Sequence, residues 1–73
     1  MMDKEKKLLV KLSTIIRARR HELNLSQLEV AERADCGLNA IGRLERVQVD
    51  PTFTTLIKIA DALEMSPKDL FPN

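Results

Sequence analysis

Apolar residues recur along the chain at intervals of three and four, and polar residues punctuate them into five segments, each with the period of an α-helix. Leu8, Leu12, Ile15, Ile16 and Leu23 fall on one stripe and predict a first helix from about Asp3 to Leu23, with the stem of Arg19 lying along the stripe. Val10 points the other way. Asn24 ends this helix, since Asn tolerates the left-handed conformation that helix ends often adopt. The second helix has a well-marked start. Ser26 is its N-cap, Glu29 completes a capping box, and Leu25 and Val30 form a hydrophobic staple. Val30, Ala31 and Ala34 face inward.

The pattern then breaks for only three residues, Asp35, Cys36 and Gly37. Asp35 takes the position after the helix where a positive φ is often needed, and Gly37 serves as N-cap of a third helix. Ile41 and Leu44 face inward on that helix. Asn39, Arg43 and Arg46 lie opposite them, with Leu38 and Gly42 on the edge between. Two helices joined so closely must cross steeply, and Ala31 and Ala34 keep their contact small. The third helix is thereby held outward with a slender cationic face, a shape that suits the major groove of DNA, ~12 Å wide. A loop from Val47 to Pro51 follows. Thr52 or Thr54 caps a fourth helix with the stripe Phe53, Leu56, Ile57, Ala60 and Leu63. Ser66, Pro67 and Asp69 mark the start of a short fifth helix, stapled by Met65 and Leu70.

Composition narrows this reading. At 73 residues the chain makes one domain at most, spanning 1–73, and no sensor domain for a ligand is expected. There is no Trp or Tyr and there are only two Phe, which favours an all-α fold over strands. Net charge is +1, but seven basic residues face two acidic ones through Arg20, against five and nine thereafter. That asymmetry permits an anionic partner without requiring one. The single cysteine, Cys36, reads as a small buried hydrophobe in a reducing, cytoplasmic setting. No apolar run reaches the ~18 residues of a membrane span. No nucleophile–base pair, phosphate loop or metal-ligand cluster is evident, and the lone His21 reads as structural, so neither an enzyme nor a cofactor nor a small-molecule ligand is expected.

From Leu12 to Phe71 the sequence resembles the lambda-repressor-like helix-turn-helix domain, or XRE family. The segment LSQLEVAERADCGLNAIGRLE matches its motif, at about residues 26–45, and DPTFTTLIKIADALEMSPKDLF matches its Pro-initiated fourth and Ser-initiated fifth helices. The resemblance implies a compact five-helix DNA-binding domain. It implies that Gln27 bonds a DNA phosphate at the N-terminus of the second helix. Leu38, Asn39 and Arg43 would meet base edges, and Arg46 and Gln48 would hold the phosphate backbone. Arg20 and Glu45 match a charge pair that ties the first helix to the third in many relatives. The sequence departs from the family at four positions: Asp35 and Val47 replace customary glycines, and Leu38 and Leu28 replace residues that are commonly polar.

Arg43 reads a guanine or holds a phosphate, Asn39 reads an adenine or is simply solvated, and Leu38 touches thymine methyls or packs at the helix edge. The function expected is that of a sequence-specific transcriptional regulator, acting as a homodimer because one helix reads only a few base pairs. Phe53, Ile57, Leu63, Met65 and Phe71 offer the apolar surface for that dimer. Small stand-alone relatives include phage repressors and the controllers of restriction–modification systems, and the long first helix is similar to the controllers. The alternative is an antitoxin-type module whose primary partner is a protein, motivated by Val10, Leu28 and Leu38.

Overall fold

The structure is a computed structural model that describes residues 3–71, so the outermost positions of the expected 1–73 domain lie outside the described residues. Among these residues are four α-helices and no strand: α1 (Asp3–Glu22), α2 (Gln27–Arg33), α3 (Ala40–Glu45) and α4 (Phe53–Ala62). The expected fifth helix is a single 3₁₀ turn, Pro67–Leu70. It starts as the sequence indicates, with Asp69 Oδ2 accepting from the Ser66 N–H at 3.1 Å. None of the described helices is long and apolar enough to cross a membrane.

All four α-helices end in the same way. Asn24, Asp35, Val47 and Glu64 each have a positive φ, between 52° and 58°. At each end the next N–H reaches back five residues: Leu25 to Arg20, Cys36 to Ala31, Gln48 to Arg43 and Met65 to Ala60, all at 2.9–3.0 Å. These are Schellman motifs, which satisfy helix-end carbonyls and fold the chain back sharply. A glycine is the usual residue at the left-handed position, yet neither glycine of this chain has a positive φ.

The core gathers Leu12, Ile16, Val30, Ala31, Ile41, Leu44, Ile59, Ala60, Leu63 and Leu70 with their neighbours. α3 packs against α1 and α2, and α4 packs against α2 and the 3₁₀ turn. Two inward assignments and one helix start need correction. Leu8 is exposed, because the core reaches the N-terminal part of this 20-residue rod only at the half-buried Leu9 and is closed from Leu12 onward. On α4 the buried face is Leu56, Ile59, Ala60, Ala62 and Leu63, whereas Phe53 and Ile57 are exposed. That helix is apolar at two phases of the helical period, and packing selects the one containing Ile59. Finally, α3 starts later than Gly37 would place it: Leu38 and Asn39 form a turn, and Asn39 is the N-cap without a side-chain capping bond.

Candidate nucleic-acid interface

The motif is built from its joint outward. Ser26 Oγ accepts from the Glu29 N–H at 3.0 Å, and Glu29 Oε1 accepts from the Ser26 N–H at 2.9 Å. The Ser26 N–H holds the Glu29 carboxyl below its usual value, because only the ionised form accepts fully. Leu25 and Val30 are both buried beside this cap. At the other end of α2, Ala31 and Ala34 are buried and Cys36 packs against the core, so the chain turns into α3 without bulky side chains in the corner. Burial raises the Cys36 thiol above its ordinary pKa, which keeps it protonated and unreactive at neutral pH.

α3 is fixed by an ion pair. Arg20 Nε and Nη2 donate to Glu45 Oε2 and Oε1 at 2.7 and 2.8 Å, a two-pronged geometry that sets both the distance and the angle between α1 and α3. Arg20 Nη1 also donates to the Leu25 carbonyl at 3.0 Å, tying the entry to α2 into the same unit. The two side chains are only 10 % and 5 % exposed. Burial works against ionisation of Glu45, but the hydrogen bonds from Arg20 and Gln27 and the charges of Arg20 and Arg17 outweigh it, leaving the carboxyl below its ordinary pKa.

Gln27, which the resemblance places at a DNA phosphate, also makes a contact within the protein. Its side chain is half-buried, and Nε2 donates to Glu45 Oε1 at 3.1 Å. It crosses α3 at Gly42, where an added Cβ would sit 3.1 Å from Gln27 Oε1 and 3.1 Å from Arg46 Nη1. Gly42 is therefore buried beneath two polar side chains and does not lie on the helix edge. A glycine in mid-helix could have flagged this close approach in the sequence.

The outward face carries the other expected residues. Leu38, Asn39, Arg43, Arg46 and Gln48 are all exposed. Arg46 Nε donates to Gln48 Oε1 at 3.1 Å, so these two act as one polar group at the end of α3. Leu38, Asn39, Ala40 and Arg43 line an open groove of about 390 Å³ together with Val49, Pro51 and Thr55. Among the described residues, Arg43 is the one charged side chain that lines it.

Residues 15–70 match the family model described as helix-turn-helix. The chain belongs to the helix-turn-helix family. Its fold superposes on the restriction-modification controller protein C.AhdI from Aeromonas hydrophila with a TM-score of 0.83 and 32 % sequence identity, covering 86 % of this chain and 96 % of that one. No curated protein matches it. This is an XRE-type DNA-binding helix-turn-helix domain.

The apolar residues expected at a dimer interface divide. Phe53, Ile57 and Phe71 are exposed and Met65 is half-buried. Leu63 is fully buried, and its carbonyl accepts from Arg19 Nε at 2.9 Å, so it belongs to the core and has no surface to offer a second copy. Arg19 itself has a role that sequence reasoning missed. It caps the C-terminus of α4, reaching the Leu63 carbonyl and, at 3.4 Å, that of Glu64. Its partner lies 44 residues away, beyond the reach of a local pattern.

Proposed function

We propose that this chain is a sequence-specific transcriptional regulator that binds a two-fold operator as a homodimer, in a role like that of a restriction–modification controller. The observation that carries this is α3 itself. A buried, two-pronged ion pair holds the helix from behind, and Asn39 and Arg43 stand free on its outer side. In the proposed complex Leu38, Asn39 and Arg43 meet base edges, while Arg46, Gln48 and the N–H groups beside Gln27 hold phosphates. Gln27 keeps one amide hydrogen on Glu45 and turns the rest of its head toward the backbone. Phe53 and Ile57 lie one turn apart on the open side of α4, with Phe71 exposed just beyond the 3₁₀ turn, and together they supply the dimer contact. A reducing cytoplasm suits a lone, half-buried thiol.

Selection of bound duplexes from a random pool tests this reading. It should return inverted repeats whose half-site centres lie one helical turn, about 34 Å, apart or a multiple of it. Recovery of unrelated sequences, or of single half-sites, would count against the operator and the dimer respectively. The competing reading, an antitoxin-type module, draws on the exposure of Leu28 and Leu38 within residues 26–45. It predicts a stable protein partner that masks Leu38 and competes with DNA, where the regulator predicts a homodimer sufficient for binding.

A further inference from the structure

Leu38 is 68 % exposed, the largest exposure among the large apolar side chains of the described residues. A single exposed leucine is ordinary on a protein surface. Its position is what matters here. Leu38 immediately precedes Asn39 at the start of α3 and lines the same groove as Asn39 and Arg43, two exposed polar side chains. A leucine can neither donate nor accept a hydrogen bond, so it cannot read the donor and acceptor pattern of a base pair. The major groove presents one apolar feature that differs between base pairs, the C5-methyl group of a pyrimidine.

We propose that Leu38 is a specificity-determining residue that reads a pyrimidine C5-methyl group in the major groove. This rests on the DNA-binding reading above. The isobutyl group excludes water from the methyl, while Asn39 hydrogen-bonds an adjacent base edge and fixes the register. Arg43, on the same groove, supplies positive charge that matches the DNA. Thymine carries the methyl in unmodified DNA. 5-Methylcytosine presents the same group on a G·C pair, and a site that used it would respond to the methylation state of the operator.

The test uses the full-length protein and the duplex recovered by selection, with binding followed by fluorescence anisotropy. Each thymine of the half-site is replaced in turn by deoxyuridine, which lacks only the methyl, and each cytosine by 5-methylcytosine. Loss of one methyl contact should weaken binding about fourfold per half-site, the factor that corresponds to ~0.8 kcal/mol for one buried methylene. Sensitivity at one thymine assigns the methyl to thymine. Tightening at one cytosine instead assigns it to 5-methylcytosine. In either case Leu38→Ala, a change at an exposed site that leaves the core untouched, should bind both members of the pair equally. If wild type binds tightly and no methyl matters, or if Leu38→Ala keeps the discrimination, the inference is overturned while the regulatory reading stands. If the protein binds no duplex and Leu38 is instead covered by a protein partner, both are overturned.

Discussion

Glu64 ends α4 with φ 57° and is exposed, and its side chain makes a 3.7 Å ion pair with Arg33 between two solvated groups. A residue with a Cβ is strained in that region, whereas glycine is not, and an exposed pair of this kind stabilises little. Glu64→Gly should therefore raise stability by about 1 kcal/mol, read as a higher urea midpoint with an unchanged slope; an unchanged or lower midpoint would show that the turn is not strained. Val47, with φ 58°, is half-buried, so relief of strain there is offset by lost apolar contact. Glu45 gives a pH-dependent signature. Its folded pKa lies below the unfolded value of roughly 4.3, so its contribution is present above that pH and is lost as pH falls through the folded value. Glu29 acts in the same direction through Ser26. Glu45→Gln should cost stability at pH 7 and make the acid-side decline shallower, but should not abolish it; an equally steep decline would mean that the pair contributes nothing on folding. Breaking a pair buried this deeply costs ~3–5 kcal/mol. The sequence marked Asn24 and Asp35 as left-handed positions but not Glu64, because nothing about an isolated Glu signals a positive φ.

At six residues α3 has too few hydrogen bonds to be stable alone, and its helicity is a consequence of packing. Gly42 sharpens the point, since it weakens the helix by ~1 kcal/mol relative to Ala while giving Gln27 and Arg46 a path across it. The atoms a methyl group would meet are the ends of two flexible side chains. Gly42→Ala should thus stabilise the fold by up to about 1 kcal/mol in urea unfolding while weakening operator binding, because the Gln27 and Arg46 heads must shift. Tighter binding in this variant would remove the proposed role of both heads. The capping boxes of α2 and the 3₁₀ turn were legible because each is a local code of four residues. The phase of α4 was not, because Phe53 and Ile57 continue an apolar pattern that only the packing of Ile59 resolves. Nor was the start of α3, where Gly37 carries the compositional signal but Asn39 holds the position.

On the scale of the whole molecule, three observations converge: short helices closed by Schellman turns, a pair of side chains that locks α3, and a polar outer face on that helix. The fold could be anticipated because it depends on residue types in a fixed order, and the Arg20–Glu45 contact because the family resemblance implies it. The identity of the bases read could not, since it depends on where an exposed Leu38, Asn39 and Arg43 come to rest on a duplex. The most direct measurement is an equilibrium titration of wild type and Arg43→Ala against the selected duplex across a series of salt concentrations. Wild-type affinity should fall linearly on a logarithmic salt scale, as phosphate contacts release counterions, and Arg43→Ala should lose ~1–3 kcal/mol, with relaxed preference at one position if it reads a base. Binding that ignores both salt and the loss of Arg43 would contradict the assignment of α3 as the helix that enters DNA.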